Sequence, residues 1–222
     1  MTELLLTLRL SALTTLILLV VGLPLAYWLA FSRWRWKPFV EATIALPLVL
    51  PPTVLGFYFL LLLGRNGWVG QAWFEIFRQP LAFSFTGLVI VSVFYSLPFA
   101  VQPLHSAFQG LNPRLIEAAE TLGASRVRTF WRVILPSCRS AVLSAVVLSF
   151  AHTMGEFGVV LMVGGNIPGE TRTLSIAIYD LVEALEYAQA NQLSFILLVF
   201  SYAVLATLYV LNRKGFQSWK IG

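Results

Sequence analysis

The chain has 222 residues, of which 58% are hydrophobic and only 11% are charged, and its formal net charge is +5. Soluble domains are about 45–50% apolar and about 25% charged, so this composition excludes an ordinary water-soluble domain, a disordered chain and a disulfide scaffold. The 15 Lys and Arg residues lie in the gaps between long apolar blocks, so no nucleic-acid partner is expected. We predict an all-α integral membrane protein.

Five apolar blocks are long enough to cross a bilayer, which takes roughly 20 residues. The predicted spans are residues 10–31, 42–63, 82–104, 140–163 and 193–211. The N-terminus contains Glu3 and lacks the basic start of a signal peptide, so we keep the first block as a membrane span.

The segment 173–191 differs from the five blocks because Asp180, Glu183 and Glu186 interrupt one of its helical faces. Three acids would be very costly at the centre of a bilayer. We therefore predict an amphipathic helix that lies on the outer membrane surface.

The distribution of basic residues predicts the orientation. With the N-terminus outside, eleven Lys and Arg fall on the inner side and four on the outer side. An excess of basic residues in cytoplasmic loops is the usual pattern, which favours an outer N-terminus and an inner C-terminus.

Prolines interrupt several predicted spans, most densely at Pro47, Pro51 and Pro52. Each interior proline removes a backbone hydrogen bond and kinks or breaks a helix. Two interpretations stay open: the kinks only shape the bundle, or the second span bends around a central pathway.

The inner connection 105–139 is longer than a hairpin requires. Asn112 followed by Pro113 predicts the start of a short helix, and Gly123 predicts its end. Ser125 predicts the cap of a second helix, whose apolar face would contain Val127 and other residues at helical spacing, namely Phe130, Trp131 and Ile134. Two short helices with a small surface at Ala118 and Ala119 would suit a partner protein, although packing beneath the bundle is an alternative.

This loop resembles the signature of ABC importer permeases: Glu117-Ala118-Ala119, then Gly123, then Ile134-Leu135-Pro136. The resemblance covers residues 7–212 and implies the type-1 importer permease fold, with five spans and a cytoplasmic coupling helix. It further implies that Glu117, Ala118, Ala119, Gly123, Ile134 and Pro136 couple the chain to a separate ATPase.

Two further stretches resemble the molybdate permeases within that family. They are the run Leu46 to Gly56, which includes Pro51 and Pro52, and Gly155-Glu156-Phe157-Gly158 followed by Asn166 to Thr173. The resemblance implies molybdate as the substrate, with tungstate compatible, and a sulfate- or thiosulfate-type permease as the alternative.

The same stretches supply the candidates for a gate or substrate path, which are Pro51, Pro52, Gly155, Glu156, Gly158, Arg172 and Thr173. Glu156 is the one acid deep in an apolar block, and such residues are functional candidates. We expect its carboxylate to bond backbone or a polar neighbour at a helix break, with an acid that reaches water at the outer interface as the alternative. Arg172 suits an anion because its guanidinium carries only donors, although a contact to a binding protein or a plain surface position is also possible.

Enzymatic function is not expected. The chain has no Gly-x-x-x-x-Gly-Lys-Ser/Thr phosphate loop and no Gly-x-Ser-x-Gly elbow, and no metal site is expected from His105 and His152, which lie far apart. The subunit would carry no cofactor, and ATP with magnesium would bind to the partner ATPase.

Five spans are few for enclosing a pathway, so we expect a homodimer in the bacterial cytoplasmic membrane. The resemblance implies two cytoplasmic ATPase subunits and an oxyanion-binding protein, either periplasmic or lipid-anchored. A less favoured class is an ion-driven secondary transporter, which would need polar pairs at mid-membrane.

Overall fold

The computed structural model describes the backbone of residues 2–217 and the side chains of residues 2–210. This part of the chain is helical and contains no strand. Three basic residues in the orientation count, Arg213, Lys214 and Lys220, lie outside the described side chains. The helices are α1 (Thr2–Phe31), α2 (Lys37–Val49), α3 (Pro52–Leu63), α4 (Trp68–Phe77), α5 (Phe85–Gln109), α6 (Pro113–Thr121), α7 (Arg126–Thr129), a π-helical stretch (Phe130–Ile134), α8 (Leu135–Ser137), α9 (Arg139–Met154), α10 (Gly158–Gly164), α11 (Leu174–Glu183) and α12 (Tyr187–Gln217).

Three described helices are long and apolar enough to cross a membrane without interruption: α1, α5 and the part of α12 from Tyr187 to Val210. The helices α2 and α3 form a bent pair with an angle of 113° between them. The segments Arg126–Ser137 and Arg139–Met154 form a second bent pair at 75°. If each bent pair is one span, the described chain has up to five spans.

The predicted boundaries differ from the structure where the chain breaks. The predicted span 140–163 is two helices, because α9 ends at Met154 and α10 begins at Gly158. The predicted surface helix 173–191 is wrong in length: α11 ends at Glu183, and Leu185 adopts a φ of 62° that turns the chain into α12. The last span therefore starts at Tyr187 rather than at 193.

The helices α1, α5 and α9 pack together at the centre of the chain. Small polar side chains are fully buried between them, including Ser11, Thr14, Ser92, Ser96 and Ser149. Small residues allow membrane helices to approach closely and to pack through van der Waals contacts, which explains hydroxyl groups in this core.

Two apolar clusters define the two ends of the bundle. One contains Ala26, Leu104 and Phe108 together with Ile134 and Cys138 of the long loop. The other joins α1, α5, α10 and α11 through buried residues that include Leu10, Leu88, Val160 and Ile176. The long loop and α11 thus lie at opposite ends of the bundle, which is the relative arrangement that the charge pattern predicts.

Candidate functional site

The first candidate site is the surface of α6 in the long loop. The side chain of Asn112 accepts a hydrogen bond from the Arg114 backbone N–H at 3.1 Å, and Pro113 takes the first helical position. Ser125 caps the next helix by accepting a hydrogen bond from the Arg128 N–H at 3.4 Å. Both predicted caps are confirmed, because capping depends only on residues close in sequence.

The α6 helix ends at Gly123 in a Schellman arrangement. The Ala124 N–H donates to the Ala119 carbonyl at 3.0 Å, and the Gly123 N–H donates to the Glu120 carbonyl at 2.9 Å. Gly123 has a φ of +76°, a conformation that residues with a Cβ rarely adopt. The glycine therefore sets the direction in which the chain leaves α6.

The residues expected to couple to an ATPase divide into an exposed and a buried set. Glu117, Ala118, Gly123 and Pro136 are exposed. Ala119 and Ile134 are buried, so of the two alanines only Ala118 exposes its side chain. The helix α6 contacts α7 and the π-helical stretch, and Ala119 is its buried residue.

Apolar side chains extend this exposed face on both sides of Ala118. Leu115 is 47% exposed, and Leu122, the C-cap residue of α6, is 87% exposed. The predicted apolar face of the second loop helix is not continuous, because the π-helical stretch Phe130–Ile134 changes the spacing. Ile134 points inward there, whereas Trp131 is exposed.

The second candidate site lies where α2 gives way to α3. The helix α2 ends at Val49. Pro51 occupies the N-cap position of α3, and Pro52 takes its first position. Neither proline has an N–H, so the start of α3 leaves fewer unsatisfied donors than another sequence would. Both prolines are exposed in the isolated chain.

The break between α9 and α10 contacts the break between α2 and α3. A Cβ on Gly158 would lie 2.7 Å from the Cβ of Pro52. One turn further along, a Cβ on Gly56 would lie 2.7 Å from the Cβ of Met162. Thus the structure brings together Pro52 and Gly158, which are far apart in sequence, and a larger residue than glycine at either contact point would force the packed atoms to shift.

Glu156 lies inside the break, and its side chain is 4% exposed. Neither carboxylate oxygen has a hydrogen-bond partner among the described residues. Ser92 and Tyr95 of α5 are polar neighbours of the carboxyl, although neither side chain meets hydrogen-bond geometry with it. The carboxylate makes no hydrogen bond to the described backbone, and Ser92 is a polar neighbour at the helix break. In the isolated chain the side chain does not reach water.

The backbone of Glu156 carries the polar contact instead. The Ser175 hydroxyl of α11 donates to the Glu156 carbonyl at 2.5 Å, and it also lies 2.9 Å from the Thr173 hydroxyl. Ser175 could not be predicted as a site residue, because a serine two residues after Thr173 carries no signal of a contact to a different helix. This contact connects α11 to the break.

Three polar side chains connect α5 to the last residues of α9, directly before the break. The Ser96 hydroxyl lies 2.9 Å from the His152 Nδ1 atom and 2.9 Å from the Thr153 hydroxyl. The His152 ring stacks on Phe99 with centroids 3.9 Å apart. These contacts hold the end of α9 against α5, and the described residues contain no group of three His, Cys, Asp or Glu that could bind a metal.

Arg172 is held by two neighbours. Its Nε donates to the Asn166 side-chain oxygen at 2.6 Å, and its Nη2 lies 3.3 Å from an Asp180 carboxylate oxygen. Asn166 also donates to that Asp180 oxygen at 2.5 Å. An anion at Arg172 would therefore compete with Asp180.

Thr171 and Thr173 on either side of Arg172 are buried and bond to the protein. The Thr171 hydroxyl donates to the Gly164 carbonyl at 2.7 Å. The Thr173 hydroxyl accepts from the Ile176 N–H at 3.4 Å and caps α11. In this conformation Thr173 organises the start of α11 rather than facing an open path.

Residues 22–216 match the family described as the binding-protein-dependent transport system inner membrane component. The chain belongs to this family. It is a multi-pass inner-membrane permease subunit and not an enzyme.

The chain is more similar in sequence to a molybdenum permease than to a sulfate permease. The chain is 53% identical over 208 residues to the molybdenum transport system permease protein ModB of Azotobacter vinelandii, which covers 94% of this chain and 92% of that protein. It is 34% identical over 196 residues to the sulfate transport system permease protein CysT of Synechocystis, with 88% of this chain and 68% of that protein covered.

A solved structure with the same fold is a bacterial ABC transporter involved in the import of the acidic polysaccharide alginate. The TM-score is 0.78 at 19% sequence identity, and the match covers 96% of this permease and 78% of that chain. The predicted fold class, the type-1 ABC importer permease, is confirmed.

Proposed function

We propose that this permease imports molybdate, with tungstate as a second compatible substrate. The observation that carries the proposal is the 53% identity to the molybdenum permease of Azotobacter vinelandii over 94% of the chain. Both oxyanions are tetrahedral dianions of similar size, so a path that accepts one accepts the other.

The working assembly in this proposal is a homodimer with two ATPase subunits and an oxyanion-binding protein. Pro51, Pro52 and Gly155 are exposed in the isolated chain although they belong to broken membrane helices. Irregular backbone at membrane depth is tolerated where protein buries it or where it lines a water-filled cavity. A second copy that faces this surface would provide both conditions, with the substrate path between the copies.

Coupling to ATP hydrolysis would take place at α6. Its exposed face of Leu115, Ala118 and Leu122 lies at the end of the bundle opposite α11. An ATPase that binds this face would hold ATP and magnesium, and its closure would pull the two α6 helices together. Gly123 and the buried Ala119 would transmit that movement, because they fix α6 to the rest of the loop.

The movement would reach the substrate path through the two helix breaks. Ile134 of the loop packs with Leu104 of α5, and α5 in turn packs along α9 up to the break at Gly155. Glu156 and Gly158 follow, and Gly158 contacts Pro52. A shift of α9 would therefore move both breaks together and open or close the path.

A second candidate substrate is sulfate, because the chain is also 34% identical to a sulfate permease. The test is to purify the permease with its candidate ATPase and binding protein and to measure ATP hydrolysis and uptake in proteoliposomes. We expect stimulation by molybdate and tungstate and little by sulfate at equal concentration. Stimulation by sulfate alone would favour the second candidate, and uptake without any ATPase would contradict both.

A further inference from the structure

A groove between α1 and the second loop helix has no role in the proposed transport cycle. It has a volume of about 610 Å³ and is lined by Leu23 and Pro24 of α1 and by Phe130 and Trp131 of the π-helical stretch. We propose that this groove binds one anionic phospholipid, with an acyl chain along α1 and the headgroup at Arg126.

The α1 side of the groove has the length and chemistry of an acyl-chain site. Its lining runs from Leu19 to Tyr27, which is about 12 Å along a helix at 1.5 Å per residue. The lining residues on this helix are apolar apart from the Tyr27 hydroxyl, and Val20 is 68% exposed. Pro24 lies in the middle of this stretch, inside α1.

Aromatic rings close the end of the groove nearest to the loop. The rings of Tyr27 and Phe130 meet edge to face with centroids 5.2 Å apart, and Phe130 meets Trp131 in the same way at 5.4 Å. Trp131 is 60% exposed. Tryptophan and tyrosine concentrate at the level of lipid headgroups, so these rings mark where the groove leaves the hydrocarbon region.

The charge at this end favours an anionic headgroup over a neutral one. Arg126 lines the groove, and no Asp or Glu is among the lining residues. Arg128 and Arg132 follow on the same helical segment, and all three are exposed. Within the described part of the chain, no carboxylate lies within ion-pair distance of these arginines. Basic residues next to a membrane attract anionic lipid by about 1 kcal/mol each.

The test compares two lipids on the purified permease, together with any subunits that co-purify. After delipidation in mild detergent, the complex is titrated with phosphatidylglycerol or phosphatidylethanolamine and observed by native mass spectrometry. We expect one phosphatidylglycerol per chain at concentrations where phosphatidylethanolamine binds weakly. Arg126→Gln should weaken phosphatidylglycerol binding about fivefold and leave phosphatidylethanolamine unchanged.

Two matched controls separate headgroup from groove. Arg78→Gln removes the same charge after α4, outside the groove, and should leave both lipids unchanged. Val20→Trp should fill the groove and weaken both lipids, whereas Leu16→Trp, at a position that is 60% exposed and not part of the lining, should weaken neither.

Three results would overturn the proposal. They are equal binding of the two lipids, equal behaviour of the Arg126 and Arg78 variants, and a crosslink between position 20 of two copies that shows the groove to be a protein interface. If Val20→Trp does not fold, the two arginine variants still decide the outcome.

Discussion

Gly158 at the start of α10 lies directly against Pro52 at the start of α3, so that a Cβ on the glycine would lie 2.7 Å from the proline Cβ. Real Cβ atoms do not approach so closely, so any larger residue at position 158 must separate the two helices. The contact joins two helix breaks that are distant in sequence. Because α10 also packs along α3, we expect the two breaks to move as one unit.

Replacement of this glycine tests the unit directly. Gly158→Ala should destabilise the permease by about 1–3 kcal/mol, because an added methyl group in a tight contact forces backbone shifts. Gly155→Ala is the matched control, since a Cβ there would have no neighbour closer than 3.8 Å. Thermal unfolding in detergent measures the stability of the two variants. Equal stability of the two variants would contradict the close contact.

The contact between Ser175 and Glu156 predicts that two substitutions of Ser175 differ in stability. Ser175→Ala removes the hydroxyl that donates to the Glu156 carbonyl at 2.5 Å and should cost about 1–3 kcal/mol, because the carbonyl loses its partner. Ser175→Thr keeps a hydroxyl and should retain most of the stability.

Glu156→Gln tests the side chain at the same break. It keeps the shape of the side chain and leaves the backbone carbonyl in place, so uptake should persist and Ser175→Ala should be the more damaging change. Loss of uptake in Glu156→Gln at normal stability would show instead that the charge of Glu156 matters for transport.

The features that the sequence predicts well are those that depend on neighbouring residues. Asn112, Ser125 and Gly123 mark helix ends through local hydrogen bonds, and the prolines at 51 and 52 mark a break through their missing N–H groups. Apolar block length similarly predicts the long helices, because a bilayer sets that length.

The features that the sequence does not predict depend on residues far apart in the chain. Gly158 against Pro52 and Ser175 against the Glu156 carbonyl become neighbours only through the packing of whole helices. The burial of Ala119 beside the exposed Ala118 likewise follows from how α6 packs on the other helices of the loop. The ten-residue helix α4 is too short and too polar, with Gln71 and Glu75, to stand out as a span.

Gly123 supplies a prediction about coupling geometry. Gly123→Val should cost about 1–2 kcal/mol locally, because a β-branched residue resists a φ of +76°. The second loop helix would then be misplaced relative to α6, and stimulation of the ATPase should fall. Gly110→Ala is the control, since Gly110 ends α5 with an ordinary φ of −78°. Normal stimulation by Gly123→Val would show that this turn does not position the docking face.

Ala118 and Ala119 should respond differently to enlargement. Ala118→Trp adds a ring on the exposed face of α6, so the permease should fold normally but lose ATPase binding. Ala119→Trp places the ring in a buried position and should lower the stability of the permease itself. Co-purification with the ATPase measures binding, and thermal unfolding measures stability. A permease with Ala118→Trp that binds its ATPase and transports at the wild-type rate would contradict docking at this surface.

The two ends of the bundle predict the accessibility of single cysteines. The native Cys138 is 5% exposed and packs in the apolar cluster at the loop end, so Cys138→Ala gives a background without thiols and without a new polar group in the core. In that background, cysteines at positions 35 and 128 should be protected from an impermeant thiol reagent in sealed cells, because both lie at the arginine-rich end. A cysteine at position 183, at the exposed end of α11, should react.

Permeabilised cells provide the control, in which all three positions should react because Arg35, Arg128 and Glu183 are exposed. Labelling of position 128 in sealed cells would reverse the orientation and place α6 on the side without ATP, where it could not couple to an ATPase.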